Sequence, residues 1–198
     1  MAEPAMIGAV AVEEVTDEVL ASRLVLADRT AFAVLVTRYL DRTVAVAQRI
    51  LLRRAEAEDV AQEVFLKLWQ SPALYAPTKS RFSTWLYRVT VNRALDVTRQ
   101  VRPASLPDMM DAGFDIPDRA PSAFEQVNRQ ERAQALAAVV ASLPERQRAA
   151  LALSYHRELS DQDAAAVMAV GLKAYEALLV RARRSLREQM QKGGWHGG

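Results

Sequence analysis

The chain has 198 residues, 51% of them hydrophobic, which is enough to build one medium domain or two small ones around real cores. It has no cysteine, which rules out disulfides and thiolate catalysis, and only two histidines, so we do not expect a transition-metal centre built from its side chains. We expect no cofactor and no metal. The 26 basic and 24 acidic side chains give a net charge of +2, so only the distribution of charge can reveal a nucleic-acid surface.

The first residues predict neither a leader peptide nor a membrane anchor. Residues 1–16 have no helical period, lack the basic start of a signal peptide, and are expected to form a flexible tail. No window of about 18 apolar residues occurs anywhere in the sequence. We therefore expect a cytoplasmic protein without membrane insertion.

The first half of the chain predicts four helices. Apolar residues recur every three or four positions, the spacing of amphipathic helices, over 17–27, 29–53, 55–70 and 84–100. Asp28 and Ser83 are the predicted N-caps of the second and fourth helices. The residues 71–81 between the third and fourth helices, with Ser71-Pro72 at their start, are predicted to form a loop.

An abrupt change of composition follows at residue 103. Between residues 104 and 122 there are four acidic residues and one basic residue, no helical period, and several prolines. This composition predicts an extended, flexible acidic linker over 102–123.

Helical spacing returns in the last third, over 122–141, 144–157, 161–169 and 173–191, with Gly193-Gly194 ending the last helix. Ser160 and Asp163 resemble a capping box at the start of the third of these helices. The predicted fold is all-α: two small helical domains, 17–101 and 124–192, joined by the linker 102–123, with a short tail at 193–198.

The last two helices have the helix-turn-helix pattern of a short helix, a tight turn with Gly171 and a longer helix. Such a unit places its second helix in the major groove of DNA. Residues 171–192 carry six basic side chains against two acidic ones, as phosphate binding requires. A solvated basic helix in a four-helix bundle explains the same pattern, and the helix lengths alone do not separate the two readings.

Two segments of the N-terminal domain also suggest binding surfaces. In 57–69, acidic and polar residues form one exposed face and apolar residues form the other. In 81–92, aromatic residues alternate with Arg and Asn directly after a loop, a combination that suits stacking on unpaired bases and contact with phosphate. Phe82, Trp85, Leu86 and Val89 also have the spacing of core residues, so packing alone explains part of this segment.

These segments resemble domain 2 and domain 4 of extracytoplasmic-function (ECF) sigma factors. The resemblance rests on the Asp-x-x-Gln-Glu-Val-Phe core at 59–65, the Phe-x-x-Trp-Leu-Tyr-Arg run at 82–88 and the Leu-Pro-Glu-Arg-Gln-Arg entry at 143–148, in that order. It covers nearly all of 17–190. It implies a non-catalytic subunit that carries RNA polymerase to particular promoters.

The resemblance implies a role for each surface of the N-terminal domain. Core polymerase, through the clamp helices of its largest subunit, would bind Asp59, Gln62, Glu63 and Phe65. The −10 element would be recognised by the loop 75–82 and the helix 83–100, with Asn92 helping to hold a base flipped from the opened duplex. The residues expected at the −10 element are Lys79, Arg81, Phe82, Trp85, Tyr87, Arg88, Asn92 and Arg93.

The C-terminal domain is expected to read the −35 element as duplex DNA and to face the polymerase flap. The residues expected at DNA are Lys173, Ala174, Tyr175, Glu176, Arg181 and Arg184. The recognition helix departs from many relatives, since Glu176 and Leu178 stand where those relatives have cationic residues; a carboxylate can accept from cytosine N4 but repels phosphate. The acidic linker fits a path through the RNA exit channel of polymerase.

The resemblance also implies an anti-sigma factor, which could hold the protein at the inner membrane. It implies no small-molecule ligand. A stand-alone helix-turn-helix regulator is the alternative, and it predicts duplex binding without polymerase. An enzyme is disfavoured because the sequence has no nucleophile–base pair, metal set or glycine-rich phosphate loop. A helical adaptor leaves the basic helix and the aromatic–arginine run unexplained. His156 is expected at the surface or a helix end, without a catalytic role.

Overall fold

The computed structural model describes residues 15–100, 136–156 and 159–192. The predicted tails, the linker 102–123 and the start of the predicted helix 122–141 lie outside these residues, apart from Val15 and Thr16. The described helices are α1 (Asp17–Arg23), α2 (Arg29–Leu51), α3 (Arg54–Gln70), α4 (Phe82–Gln100), α5 (136–141), α6 (Glu145–Ser154), α7 (Asp161–Val167) and α8 (Leu172–Lys192). The all-α prediction is confirmed.

Helix α2 is the centre of the N-terminal unit, and α1, α3 and α4 pack around it. Its apolar stripe predicts this position, because Leu35, Val46 and Ile50 lie on one face of the helix, at separations of eleven and four residues, and are fully buried. Leu68 of α3 and Leu86 of α4 close the same core. Truncating one of these leucines to alanine would remove about 2–5 kcal/mol of stability.

The helix boundaries follow local chemistry that the sequence predicts in part. Asp28 caps α2, since its carboxylate accepts from the backbone N–H groups of Thr30 (2.9 Å) and Ala31 (3.0 Å). The predicted first helix 17–27 is wrong in its last turn: α1 ends at Arg23, a 3-10 turn follows, and Ala27 is left-handed. Helix α2 stops at Leu51 rather than at residue 53 because Leu52 is also left-handed.

Four aromatic side chains pack beneath the start of α4. Tyr75 of the preceding loop packs against Phe82 and Trp85, with ring centroids 5.4 and 5.6 Å away, and Tyr39 of α2 packs against Phe82 at 5.4 Å. The prediction that Ser83 caps this helix is wrong, because α4 begins at Phe82 and Ser83 lies inside its first turn.

The C-terminal unit ends in the predicted helix-turn-helix, formed by α7, the turn 168–171 and α8. Ser160 and Asp163 form the predicted capping box, with Asp163 N–H donating to Ser160 Oγ at 3.1 Å and Ser160 N–H donating to Asp163 Oδ2 at 3.3 Å. Tyr175 fixes α8 to α6, because its ring is fully buried and its hydroxyl donates to the Ala150 carbonyl at 3.2 Å. Helix α6 ends at Ser154, three residues before the predicted end, in a turn closed by the His156 N–H and the Leu153 carbonyl.

The two units pack against each other, with α6 and α7 lying on α2 and α4. The ring of His156, two residues beyond the end of α6, packs on Tyr87 of α4 with centroids 4.5 Å apart, so of the two expected positions this histidine occupies the helix end, where it is half-buried. At the edge of the contact, Arg99 Nε lies 3.3 Å from Glu145 Oε2.

The left-handed residue of the helix-turn-helix turn is Ala169 (φ 52°), while Gly171 has no left-handed φ and a Cβ placed on it meets no atom within 4 Å. Gly171 precedes α8, and its carbonyl accepts from Ala174 and Tyr175. A serine there can cap α8 and restricts the unfolded chain. We therefore expect Gly171→Ser to raise the free energy of unfolding by about 0.5–1 kcal/mol, measured by urea denaturation. Gly171→Ala lacks the hydroxyl and separates the two effects; a destabilised serine variant would contradict this assignment of the cap.

Candidate functional site

The exposed face of α3 carries three of the four residues expected at polymerase. Gln62 and Glu63 follow Asp59 by three and four positions on the helix, and all three residues are exposed. Phe65, the fourth, is only 5% exposed and its ring packs edge-on against Phe32 of α2 at 6.4 Å. Phe65 therefore belongs to the floor beneath this face and offers little surface of its own.

A groove between α2 and α3 borders this face. Its volume is about 900 Å³, and Gln62 lies on its rim. The apolar side chains that line it are Phe32, Val36, Leu40, Val44, Ala45, Phe65, Leu66 and Trp69. We name this the α2–α3 groove. Leu66 is 50% exposed and continues the apolar lining of the groove to the surface; an exposed apolar patch of this kind, unlike a single exposed leucine, marks a binding surface.

The groove is not among the features predicted from the sequence, although the sequence contains one signal for it. Leu66 follows Gln62 by four positions, so it extends the Asp59–Gln62–Glu63 face by one helical turn. Alone this leucine is a weak signal, because single exposed leucines are common on protein surfaces. Phe32 and Trp69 come from two different helices, and only the packing of α2 on α3 places them side by side, with centroids 5.0 Å apart.

The residues expected at the −10 element divide into an exposed group and a buried group. Lys79, Arg81 and Asn92 are exposed, and Arg88 and Arg93 are half-buried. Phe82 and Tyr87 are fully buried and Trp85 is 8% exposed. In this structure the apolar area of these three rings lies in the core, so contact of the rings with DNA stays a prediction and would require them to leave that packing.

Arg93 forms an ion pair with Glu63 across α3 and α4. The guanidinium donates two parallel hydrogen bonds to the carboxylate, one of them 3.0 Å long from Nη2 to Oε1. The bonds from Arg93 lower the pKa of Glu63, and the bonds to Glu63 raise the pKa of Arg93. Two residues expected at different partners thus bind each other, and they form one wall of a cleft of about 350 Å³ that also includes Asn92.

Asn92 projects from α4 at the meeting of two clefts. It lines the α3–α4 cleft with Lys67, and it lines a second cleft of about 410 Å³ with Arg146 of α6 and Met168 of the helix-turn-helix turn. Within the described residues its amide has no hydrogen-bond partner. Such an amide can both donate and accept, as recognition of a base edge requires.

Helix α8 presents most of the residues expected at the −35 element. Lys173, Ala174, Glu176 and Arg181 are exposed. Tyr175 is fully buried by its contact with α6, so its side chain offers no surface to DNA in this structure and its expected contact stays a prediction. Arg184 is exposed but forms an ion pair with Glu188 one turn along, with Nε and Oε1 2.7 Å apart, and this pair raises the pKa of Arg184.

The described residues contain no group of three or more His, Cys, Asp or Glu side chains with the arrangement of a metal site. Among the helices within 15–100, 136–156 and 159–192, none is both long and apolar enough to cross a membrane.

The chain joins a helical unit with an exposed groove to a helix-turn-helix unit with a basic helix. This combination is typical of a DNA-binding protein that also has a surface for a protein partner. The family model "Sigma-70 region 2" matches residues 35–103, and "Sigma-70, region 4" matches residues 133–186, together more than half of the chain. The chain is similar to the RNA polymerase sigma-H factor of Pseudomonas aeruginosa, with 32% identity over 88% of this chain and 94% of that protein. It is also similar to the ECF RNA polymerase sigma-E factor of Escherichia coli K12, with 30% identity over 90% and 96%. The chain belongs to the ECF group of the sigma-70 family and is an alternative sigma factor.

A solved structure agrees in fold. The sigma factor RpoE from Bartonella quintana, in complex with the anti-sigma factor NepR, matches 81% of this chain and 96% of its own with a TM-score of 0.57 and 20% identity.

Proposed function

We propose that this sigma factor binds core RNA polymerase through its N-terminal unit, opens and reads the −10 element with α4 and the preceding loop, and reads the −35 element with α8. The observation that carries the proposal is that one chain matches the region 2 and region 4 models in that order. The proposed domains are 17–101 and 124–192, with 102–123 as a linker. Binding and positioning, without a catalytic site of its own, account for this role, and it is exercised in the cytoplasm, where polymerase and DNA are found.

The polymerase contact combines an apolar anchor with a polar rim. The α2–α3 groove supplies the anchor, with Leu66 at its mouth and Phe65 in its floor. Asp59 and Gln62 supply charge and hydrogen bonds at its edge. Protein interfaces commonly take this form, in which a desolvated centre supplies affinity and the polar rim supplies orientation.

The −10 contact uses the exposed group alone. Lys79 and Arg81 lie on the loop before α4 and are placed to bind phosphates of the displaced strand. Asn92 reads the edge of a flipped base, whose extrusion costs a few kcal/mol that must be regained in the pocket. The aromatic rings of Phe82, Trp85 and Tyr87 support this surface from below.

The −35 contact uses the exposed side chains of α8. Lys173 and Arg181 have no acidic partner within the described residues, so both are available to phosphate or to guanine. Glu176 between them is suited to accept from cytosine N4. Arg184 is already bound to Glu188, and we assign it to the DNA backbone only after that exposed pair, which is weak, has opened.

An anti-sigma factor is the proposed regulator. The B. quintana relative is seen with one, and the α2–α3 groove is a surface that such a protein can cover. Covering it would block polymerase without touching DNA.

In vitro transcription tests the proposed function. Purified bacterial core polymerase is given fragmented DNA from the source genome, with and without this protein. We expect discrete transcripts only when the protein is present, and their start sites define the −10 and −35 sequences. If no initiation is gained and the protein alone shifts duplex fragments, the protein acts as a stand-alone regulator and the polymerase-binding role is wrong.

A further inference from the structure

The first turn of α4 is capped by a residue from another helix. The Phe82 N–H donates to Oε1 of Glu18 in α1 at 3.1 Å, across 64 positions of sequence. Helix N-termini leave their first N–H groups without intrahelical partners. Arg81, directly before α4, cannot fill this role because a guanidinium has no acceptor. A carboxylate at a helix N-terminus is also favoured by the helix dipole.

Helix α1 is itself fixed on α2, so Glu18 is a rigid support. The neighbouring Asp17 carboxylate lies 2.7 Å from Arg38 Nη1 and also accepts from the Tyr39 hydroxyl. The same Arg38 nitrogen donates to the Val15 carbonyl at 2.9 Å. Tyr39 in turn packs on the Phe82 ring, so α1, α2 and the start of α4 form one unit.

The loop before α4 is fastened to the same point. The Tyr75 hydroxyl donates to the Ser80 carbonyl at 3.2 Å, and the Tyr75 ring packs on Phe82. Burial, followed by the nearby charges of Glu18 and Asp17, raises the pKa of Tyr75 to about 12, so the hydroxyl stays protonated and remains a donor. The exposed Lys79 and Arg81 sit on this segment, one on each side of Ser80.

We propose that Glu18 is a positioning residue for −10 recognition: by accepting from the Phe82 N–H it holds the end of the loop, and with it Lys79 and Arg81, in the arrangement that binds the displaced strand. This inference rests on the proposed function. Glu18 is half-buried and acts through the loop, not on DNA. Without it the Phe82 N–H loses its acceptor, the first turn of α4 frays, and the strand must order the loop when it binds.

The test compares Glu18→Ala and Glu18→Gln in the holoenzyme with core polymerase. The probe is a fluorescent single-stranded oligonucleotide that carries the non-template −10 segment of a promoter mapped by the transcription assay. We expect Glu18→Ala to weaken its binding about tenfold, the scale of a lost helix cap, while affinity for core polymerase changes less than about twofold. Glu18→Gln keeps a carbonyl acceptor at the same reach, so we expect it to recover most of the binding.

Ser22→Ala is the matched control, because Ser22 is exposed on the same helix and its hydroxyl donates only to the Val19 carbonyl within α1. Equal oligonucleotide binding by wild type and Glu18→Ala would overturn the inference, as would equal losses for Glu18→Gln and Glu18→Ala. A parallel loss of core binding in Glu18→Ala would also overturn it in favour of a general structural role. Failure of the wild-type holoenzyme to bind any −10 strand would instead contradict the proposed function, which keeps the two failures distinct.

Discussion

Replacing Asp59 and Gln62 together by alanine is expected to weaken binding to core polymerase roughly 30-fold, the size of a two-residue hot-spot loss at a protein interface. Both side chains are exposed on one face of α3, and Gln62 lies on the rim of the α2–α3 groove. Alanine has the higher helix propensity at both positions, so the fold should be kept or slightly stabilised. Fluorescence anisotropy with labelled protein and purified core polymerase measures the affinity, and circular dichroism checks the fold.

A matched control is available on α7. Asp161 and Gln162 are also an exposed acid and an exposed amide, and they lie in the C-terminal unit, away from α3. Asp161→Ala with Gln162→Ala removes the same chemical groups and should leave core affinity within about twofold of wild type, as expected of a surface change outside an interface. Unchanged affinity in the α3 variant would remove Asp59 and Gln62 from the interface.

The features that the sequence predicted correctly are local ones. The caps of α2 and α7 depend on Asp28, Ser160 and Asp163 and on N–H groups two or three positions away, so a short window of sequence contains both partners of each hydrogen bond. The helices likewise follow from an apolar period that each segment carries by itself. Errors at helix ends occurred at Ala27 and Leu52, where an ordinary residue adopts a left-handed conformation that its type does not predict.

The features that the sequence left open depend on distant residues. An aromatic residue beside arginines can stack on bases or belong to the core, and the residues that pack on it decide between the two. Tyr39 and Tyr75 pack on Phe82, and His156 of the C-terminal unit packs on Tyr87. Local spacing could not rank these possibilities. The capping of α4 by Glu18 is the extreme case, since the acceptor and the donor lie on different helices and 64 positions apart in the sequence.

The Glu63–Arg93 pair also joins residues that are distant in the sequence, and it changes the interpretation of the surfaces expected at polymerase and at the −10 element. Each residue alone matches a different partner, but in this conformation each neutralises the other. An exposed ion pair contributes about 0–1 kcal/mol, so polymerase or DNA can replace either member at small cost. Neither residue should then be assigned to one partner from its charge alone, and Asn92, which lies in the same cleft without a partner among the described residues, becomes the sharper probe of −10 recognition.

Asn92→Ala is expected to lower open-complex formation at a mapped promoter roughly tenfold while core binding stays near wild type. An amide that contacts a base edge through two hydrogen bonds contributes about 1–3 kcal/mol of recognition. Asn92 is exposed to solvent and lies in the middle of α4, where alanine is the better helix former, so a loss of activity would not be explained by unfolding. Permanganate reactivity of unpaired thymines in the −10 region measures opening, and anisotropy measures core binding on the same preparations.

Gln70→Ala provides the control, since Gln70 is another exposed amide of the N-terminal unit and lies at the end of α3. It should leave both measurements unchanged. Equal losses of opening and core binding in Asn92→Ala would mean that the cleft between α3 and α4 supports the polymerase surface, which Glu63 shares, rather than the base. If the loss is confined to opening and disappears on a template already unpaired at −10, Asn92 acts in extruding the base. If the loss persists on the unpaired template, Asn92 holds the base after extrusion, because that template removes the cost of melting and leaves only the contact with the base.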